Sequence, residues 1–222
     1  MTSFGTEFIT LKEKYKKILR NNCWYHGTTL DSLNNLKLKG PLVNHNIGKE
    51  LDFGHGFYLA PDLEMAKRYT ETMIGYMKEM GNQFPFTEDE LTPIVIEYEL
   101  IDPIAESFFI APDVKTTCFP SYSEDFALFI LENRLNPQKK MHDYDLIYGV
   151  MSDSNPNILV PQFKGKLITK EQFVDEITKK TTSTRQLSVH NQVICDKLVM
   201  KAVHYVKEGV VKHVEYISHG QR

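Results

Sequence analysis

Hydrophobic and polar positions change their period several times along the chain, and each change marks the end of a short predicted element. Residues 7–20 place apolar side chains at helical spacing, which predicts an N-terminal helix within residues 1–22. Residues 93–101 alternate apolar and polar positions, which predicts a half-buried strand. Apolar residues at helical spacing after Pro61 predict a helix that ends near residue 78.

The other segments are equally short and mix strands with helices. Two prolines predict a loop over 109–122. Because strands and helices follow one another in irregular order, we expect an α+β fold rather than a doubly wound sheet. We also expect an N-terminal helix at 1–22 followed by a single domain at 23–222. The pattern predicts strands at 23–26, 56–60, 143–153, 186–190 and 210–217, a turn over 27–31 that caps a short helix, and helices over 123–133, over 169–179 and over 192–206.

Composition narrows the class of protein. Of the 222 residues, 41% are hydrophobic and 25% are charged, which is ordinary globular usage and sufficient for one hydrophobic core. A formal net charge of -3 excludes the global basic field of a dedicated nucleic-acid binder. Cys23, Cys118 and Cys195 are odd in number and widely spaced, so they indicate neither a disulfide framework nor a zinc site. We therefore expect no metal cofactor and a reducing compartment.

Two further features bear on the location of the protein. No apolar run approaches the roughly 20 residues of a membrane span. The first residues lack the apolar core of a signal peptide. We expect a cytoplasmic protein that does not act at a membrane, and delivery to another cell by a non-classical secretion route stays open.

The stretch HGTTL at 26–30 combines an imidazole, a glycine and two hydroxyls at the end of a predicted strand. Gly27 allows a ligand to approach the backbone closely, and Thr28 adds a donor beside His26. Taken alone, the same stretch is typical of a turn that caps a helix, and this structural interpretation is favoured for an isolated match.

A second stretch, DFGHGFYLAP at 52–61, makes a ligand site the better interpretation. Two glycines flank a histidine there and form a loop that can fold closely around a ligand. A Phe and a Tyr follow on a short strand, so their rings point to opposite faces, and a planar ligand could cover one of them. The structural alternative is a glycine-rich turn into an edge strand. The residues concerned are Gly54, His55, Gly56, Phe57 and Tyr58.

Together with a late strand, RQLSVHNQV at 185–193, the two stretches resemble the three-part signature of the ADP-ribosyltransferase superfamily. The match is to the His-Tyr-Glu branch, which includes diphtheria toxin and the poly-ADP-ribose polymerases. The motif order agrees, and 58 minus 26 gives 32 residues between His26 and Tyr58. The run from 25 to about 199 also resembles a bacterial domain family of unknown function that has been assigned to this superfamily. The resemblance implies a split sandwich of mixed and antiparallel β-sheets flanked by helices.

The resemblance also implies NAD as co-substrate and a role for each motif residue. His26 would hydrogen-bond the adenosine ribose, the Gly27 backbone would pair with the nicotinamide carboxamide, and Thr28 would add a polar contact. Tyr58 would stack on the nicotinamide ring, which leaves in the reaction. Gln186 occupies the position where active members usually carry Glu. The loop residues that would wrap NAD are Gly54, Gly56 and Phe57.

The presence of Gln rather than Glu at position 186 limits which reactions we expect. A carboxylate there would stabilise the positive charge that develops on the ribose as nicotinamide leaves, whereas an amide adds no charge. Polymer elongation is therefore disfavoured. Single transfer to an acceptor that brings its own negative charge, transfer with another carboxylate, and binding without chemistry stay open. Candidates for the other carboxylate are Asp52, Asp143, Asp145 and Asp153, and candidate acceptor-side residues are His55, Asp143, Asp145, His190 and Gln192.

The sequence thus predicts an NAD-dependent mono-ADP-ribosyltransferase that cleaves the nicotinamide-ribose bond and transfers ADP-ribose to a macromolecule, as a bacterial toxin or effector. We expect a protein acceptor rather than a nucleic acid, since the chain has no clear nucleic-acid-binding character. An antitoxin or other neutralising protein is an expected partner. The alternatives are a catalytically silent module that binds NAD or ADP-ribose, and an NAD glycohydrolase that uses water as acceptor.

Overall fold

A computed structural model of the chain describes residues 23–44, 51–81, 85–100, 114–152, 155–179 and 182–217. The helix predicted within 1–22 lies outside these described residues. In chain order the elements are β1 (Cys23–Thr29), α1 (Leu30–Lys39), β2 (Phe57–Leu59), α2 (Leu63–Met80), β3 (Pro93–Leu100), β4 (Thr116–Phe119), α3 (Glu124–Leu135), β5 (Leu146–Val150), α4 (Pro156–Lys164), α5 (Lys170–Lys179), β6 (Arg185–Val189), α6 (Gln192–Cys195), β7 (Leu198–Lys207) and β8 (Val210–Tyr216).

Helix starts follow the capping residues that the sequence offers. The Thr29 side chain accepts a hydrogen bond from the backbone N–H of Ser32 and caps α1. Asp62 caps α2 in the same way through the N–H of Met65. Ser123 caps α3. The predicted helix starts after Pro61 and at Ser123 are therefore confirmed, and the short helix predicted after a turn over 27–31 begins earlier, at Leu30.

The chain divides into two compact units. The first combines the described parts of Met1–Pro41, Leu59–Asp113 and Asp196–Arg222, and the second those of Leu42–Tyr58 and Val114–Cys195. A single domain over 23–222 stays a prediction. Each unit contains one four-stranded sheet, and each is described separately below.

In the first unit the strand order is β1-β3-β7-β8, and all three pairings are antiparallel. Both faces of this sheet are buried around β3, because the neighbouring residues Val95 and Ile96, which point to opposite faces, are completely inaccessible to solvent. Helix α2 packs on β1 and β3 through its apolar face. The residues of the HGTT motif therefore lie on an edge strand that a helix covers.

In the second unit the strand order is β2-β6-β5-β4. Strands β5 and β6 run antiparallel and strands β4 and β5 run parallel, so this sheet is mixed. Its core is an aromatic and aliphatic cluster that includes Phe53, Phe126, Ile130, Ile147 and Phe173. The predicted α+β class, with antiparallel and mixed sheets and flanking helices, is confirmed.

The helix predicted over 192–206 is wrong. Only α6 is helical there, and β7 occupies the rest of the segment. The register between β3 and β7 shifts so that Glu97 pairs with Ala202 while Tyr98 pairs with Met200, which leaves Lys201 as an extra residue. Such a bulge breaks the alternation of apolar and polar positions that would have indicated a strand.

The loop predicted over 109–122 is also wrong in part, because β4 forms within it. Pro120 follows this strand directly and does not interrupt it. Pairing with β5 supplies the backbone hydrogen bonds of the strand, and local proline content does not report that pairing. None of the helices in the described part of the chain is long and apolar enough to cross a membrane.

Candidate functional site

The HGTT motif lies on β1 in the first unit. The side chains of His26 and Thr28 are buried, with 4% and 5% relative exposure. Their Cα partners on β3 are Ile96 and Ile94. The motif thus continues the strand through Thr29 and does not form the turn that the sequence pattern predicts.

The backbone of Gly27 faces the outer edge of β1. The N–H of Tyr25 donates to the carbonyl of Ala60 at 2.9 Å, and the N–H of Ala60 donates back to Tyr25 at 2.7 Å. In a strand the N–H and C=O of residues two apart point to the same side, so those of Gly27 share the side of Tyr25. Leu30 is an odd number of residues from Gly27, so its N–H points to the other side, where it donates to the carbonyl of Thr92 just before β3. Gly27 therefore presents a donor and an acceptor at the sheet edge.

Gly27 is also required by packing within the first unit. A Cβ atom at this position would lie 2.2 Å from Oγ1 of Thr70 and 2.5 Å from the backbone oxygen of Ala66. Both residues belong to α2. The close approach of this helix therefore accounts for the glycine independently of any ligand.

Tyr58 closes the glycine loop of the second unit, by which we mean residues 53–56. Its hydroxyl donates to the carbonyl of Gly54 at 2.6 Å and accepts from the N–H of Phe53 at 3.1 Å. The ring packs against the core cluster and remains partly exposed. Phe57, the other ring of the motif, is completely buried. The hydroxyl contacts fix the orientation of the Tyr58 ring.

Two histidines hold two more carbonyls of the glycine loop. Nε2 of His142 lies 2.9 Å from the carbonyl oxygen of Phe53. Nδ1 of His190 lies 2.6 Å from the carbonyl oxygen of His55, and its Nε2 lies 2.8 Å from Oγ of Ser188. With the contact from Tyr58, three successive carbonyls of the loop each accept a hydrogen bond from a side chain.

The glycines of the loop leave room for these contacts. Gly54 has a φ of 77°, in the left-handed region, and a Cβ there would lie 2.7 Å from Oδ1 of Asn133. A Cβ on Gly56 would lie 2.8 Å from Cε1 of His190. The glycine pattern is thus explained by the fold of the loop onto its own unit.

Burial governs the charge of the two histidines. Burial, together with the neighbouring His142, lowers the pKa of His190 to about 3. Burial also lowers the pKa of His142. Both imidazoles are therefore neutral at pH 7, and His190 has no charge to offer an acceptor.

Gln186 lies on β6, opposite Gly149 of β5, and is buried with 8% relative exposure. Its amide nitrogen lies 3.2 Å from Oδ2 of Asp52. A carboxylate can only accept, so the contact orients the Gln186 amide with its nitrogen toward Asp52 and Oε1 away from it. This position in the sheet therefore carries a fixed amide.

Asp52, a candidate for a second catalytic carboxylate, forms a buried ion pair with Arg134. Nη2 of Arg134 lies 2.7 Å and Nε 3.2 Å from Oδ1 of Asp52. Oδ2 accepts from the N–H of Ser152 at 2.9 Å as well as from Gln186. Nη1 of Arg134 donates to Asn157 at 2.8 Å. The charge of Asp52 is thus balanced and both its oxygens are engaged.

The other candidate acids that the structure describes are Asp145, which accepts two hydrogen bonds within the second unit, and Asp143, which is exposed. Asp145 accepts from the N–H of Lys115 and from the side-chain amide of Asn191, each at 2.9 Å. The Asp143 side chain is exposed, and Nζ of Lys115 lies 3.4 Å from it. Asp153 lies outside the described residues. Asp145 therefore has the structural role that strand-end acids often take.

Two further acceptor-side candidates also contact backbone groups of the second unit. Nε2 of His55 lies 2.5 Å from the carbonyl oxygen of Pro137. Oε1 of Gln192 accepts from the N–H of Val43 at 3.1 Å. The structure thus brings His55 and His190 together at the glycine loop, and it places Gln192 against a different segment.

Sequence reasoning does not find Arg134 or His142. Each contacts a residue more than 80 positions away, Asp52 at a separation of 82 and Phe53 at a separation of 89. One local signal exists, since Arg134 stands in an apolar helix where a charge needs a partner. His142 has no such signal. Within the part of the chain that the structure describes, no group of three or more His, Cys, Asp or Glu side chains could hold a metal ion.

Comparison with known proteins gives one match. A family model described as a protein of unknown function, DUF3990, matches residues 24–200. No curated protein and no solved structure matches the chain. The matched segment contains the HGTT strand, the glycine loop and Gln186. Because the model covers well over half of the sequence, the chain belongs to the DUF3990 family.

Proposed function

We propose that the chain is an NAD-dependent mono-ADP-ribosyltransferase. The observation that carries the proposal is the outward-facing N–H and C=O of Gly27 at the edge of β1. A primary carboxamide such as that of nicotinamide offers one acceptor and two donors, so it can pair with both groups of a single residue. This is the role that the family resemblance assigns to Gly27.

The glycine loop and Tyr58 support the same proposal. Stacking on nicotinamide needs a partly exposed ring that does not have to be ordered when the ligand arrives. Tyr58 has such a ring, because its hydroxyl is bonded to Gly54 and Phe53. In the proposed complex, His26 binds the adenosine ribose and Tyr58 stacks on the nicotinamide.

The proposed reaction breaks the bond between the nicotinamide nitrogen and C1' of the ribose and forms a bond from C1' to an acceptor atom. Nicotinamide leaves as a neutral molecule, and the acceptor loses any proton it carries. Gln186 accepts a hydrogen bond from the ribose through Oε1 but supplies no charge, and the charge of Asp52 is balanced by Arg134. An acceptor that is itself anionic compensates for this, and a carboxylate side chain of another protein is the acceptor we propose.

A silent NAD-binding module is the second candidate, and the Gln186 contact with Asp52 favours it. Gln186 carries no charge at the position that active members of the resembling superfamily fill with Glu. The nearby carboxylate of Asp52 cannot replace that charge, because its two oxygens accept hydrogen bonds from Arg134, Ser152 and Gln186. Such a chain would bind NAD and leave it intact.

Incubation with NAD labelled in the adenylate phosphate separates these activities. Label on a protein of a cell extract supports transfer, released ADP-ribose with nicotinamide supports hydrolysis, and intact NAD with saturable binding supports the silent module. Tyr58→Ala should abolish consumption of NAD, because the stacking ring is lost. Tyr216→Ala is the matched control, since Tyr216 is exposed on β8. Full activity in Tyr58→Ala would remove Tyr58 from the site.

A further inference from the structure

We propose that His142 and His190 are positioning residues, each held in one neutral tautomer, that fix the glycine loop in the shape that receives NAD. The effect on NAD rests on the proposed function, whereas the tautomers and the rigidity of the loop do not. His190 lies within the third stretch of the motif but has no role assigned by the resemblance, and His142 lies outside all three stretches and has no signal in the sequence.

The partners of His142 determine its tautomer. The backbone N–H of Tyr144 donates to Nδ1 at 3.2 Å, so Nδ1 is the unprotonated nitrogen. Nε2 therefore carries the proton and donates to the carbonyl of Phe53 at 2.9 Å. A second proton on Nδ1 would break the contact with Tyr144.

The partners of His190 determine the opposite tautomer. The carbonyl of His55, 2.6 Å from Nδ1, can only accept, so Nδ1 carries the proton. Nε2 then accepts from the hydroxyl of Ser188 at 2.8 Å, which is closer than the competing acceptor of that hydroxyl, the carbonyl of Ile147 at 3.4 Å. Residues His142 and His190 thus donate to the loop from different ring nitrogens.

The ring of His142 lies beside the ring of His190 and also opposes protonation of His190. Their centroids lie 4.6 Å apart at an interplanar angle of 87°, so a charge on one would face the other at short range. Lys140 adds positive charge near His190, and burial opposes protonation of His190 most strongly. Among the described residues no carboxylate acts on His190, whereas Asp143 and Glu132 favour protonation of His142.

Fixed carbonyls have a consequence for binding. A glycine-rich loop without side-chain contacts would have to be ordered when a ligand binds, which weakens affinity. In this chain the carbonyl oxygens of Phe53, Gly54 and His55 each accept a hydrogen bond from a side chain before any ligand is present. The conformational entropy of the glycine loop is therefore lost when the chain folds and not when a ligand binds.

Nitrogen-15 spectra of the imidazoles of the wild-type protein test the tautomers directly. At pH 7.5 we expect His190 as the Nδ1–H form and His142 as the Nε2–H form, with no titration of His190 down to pH 5. The opposite tautomer on either ring, or titration of His190 near pH 6.5, would overturn the proposal. The measurement needs neither NAD nor a variant.

Paired substitutions test whether the hydrogen bonds from His142 and His190 make the glycine loop rigid. His190→Asn keeps a donor near the place of Nδ1, and His142→Gln keeps one near the place of Nε2, whereas His190→Leu and His142→Leu keep none. We expect amide hydrogen exchange of residues 53–58 to rise by about tenfold or more in the Leu variants, the factor typical of one lost buried hydrogen bond. The Asn and Gln variants should stay within about threefold of wild type, and so should the exposed control His213→Leu. Equal exchange rates in all variants would show that the two histidines do not make the glycine loop rigid.

The link to NAD has its own readout. We expect the Leu variants to raise KM for NAD, or Kd if the chain only binds it, with kcat changed much less, and the Asn and Gln variants to restore it. Loosened loops with unchanged NAD affinity would overturn the positioning role. If the wild type binds no NAD, the proposed function fails and the NAD half of this proposal fails with it. In that case the tautomers and the rigidity of the loop are still tested by the nitrogen-15 spectra and the exchange rates. If a Leu variant does not fold, the wild-type spectra and the Asn and Gln variants test them instead.

Discussion

The amide nitrogen of Gln186 lies 3.2 Å from Oδ2 of Asp52, and this contact gives a physical reason for an amide rather than a carboxylate at position 186. A carboxylate at 186 would face a second carboxylate in a buried setting, where like charges repel strongly. An amide instead donates to Asp52 and leaves the ion pair with Arg134 intact. The neutral residue at 186 and the buried pair at 52 and 134 are therefore consistent with each other.

Gln186→Glu should destabilise the protein by roughly 1–3 kcal/mol at pH 8, because a hydrogen bond is replaced by a like-charge contact. The loss should shrink as pH falls and the new carboxyl group takes up a proton, since a protonated carboxyl can again donate to Asp52. Urea unfolding at pH 8 and pH 5 measures both effects. Gln172→Glu is the control, since Gln172 is an exposed helix-start residue whose Oε1 accepts from Thr169. Equal stability of Gln186→Glu and wild type at pH 8 would contradict the contact.

The double variant Asp52→Asn with Gln186→Glu tests the same pair in reverse. Asp52→Asn alone removes the carboxylate of a buried ion pair with Arg134 and should cost roughly 3–5 kcal/mol. The second change returns one negative charge to the group, so the double variant should lose less than the sum of the two single losses. A double-mutant cycle in urea should give a coupling of roughly 0.5–3 kcal/mol. Simple additivity would show that the two side chains do not interact.

Gly27→Ala should destabilise the first unit by roughly 1–3 kcal/mol, because the added Cβ collides with a packed helix. The atoms it meets are Oγ1 of Thr70 at 2.2 Å and the backbone oxygen of Ala66 at 2.5 Å, and the backbone oxygen cannot rotate away. Gly75→Ala, on the same helix with no atom within 4 Å of the added Cβ, is the matched control. It should stabilise the protein by about 0.5–1 kcal/mol through helix propensity. Thermal unfolding compares them, and two shifts of equal sign would contradict the packing at Gly27.

Tyr58→Phe separates the hydroxyl of Tyr58 from its ring. The ring stays, but Gly54 loses a donor and Phe53 loses an acceptor, so we expect a loss of roughly 1–3 kcal/mol in unfolding free energy. Under the proposed function, consumption of NAD should fall in Tyr58→Phe but remain measurable, unlike in Tyr58→Ala. Tyr216→Phe, at an exposed position, should change stability by less than about 0.5 kcal/mol. A wild-type stability for Tyr58→Phe would show that the hydroxyl does not hold the loop.

Stability should decrease as pH falls below about 6.5, because the pKa of His190 is about 3 in the folded chain and near 6.5 when unfolded. Between these values the unfolded state binds a proton that the folded state does not, which lowers stability by about 1.4 kcal/mol per pH unit. The lowered pKa of His142 acts in the same direction. Urea unfolding between pH 7.5 and pH 5 measures the slope above the range where carboxylates titrate.

His190→Asn provides the control for that slope, because Asn keeps the donor to His55 and does not titrate. Its stability should depend less on pH over the same interval than that of the wild type. A wild-type stability that is flat from pH 7.5 to pH 5 would contradict the neutral, buried state of His190.

Local chemistry in the sequence predicts much of the fold. The capping residues Thr29, Asp62 and Ser123 act within three residues of their own position, so their patterns are visible along the chain. The α+β class follows from the same local periods. Strand β7 could not be predicted in this way, since the bulge at Lys201 hides its period and its pairing with β3 joins segments about 100 residues apart.

The contacts of the site residues are less accessible to sequence reasoning. The motif indicates that His26, Gly27 and Tyr58 belong to a ligand site, yet it does not report that Gly27 also accommodates Thr70 or that Tyr58 bonds to Gly54. The partners of Gln186 and Asp52 come from other strands and helices. Their roles follow from burial and hydrogen bonding, which a single sequence does not contain.

The position of β7 in the first sheet has a consequence for the order of events during synthesis. Strand β3 pairs with β1 on one side and with β7 on the other, and β7 ends at Lys207. A chain still on the ribosome can form β1 and β3, but the sheet lacks an interior strand until β7, about 100 residues further along the chain, has emerged. The family match ends at residue 200, inside β7, so a fragment cut there would expose the edge of β3 and invite aggregation. The HGTT strand is therefore synthesised well before the sheet to which it belongs can be completed.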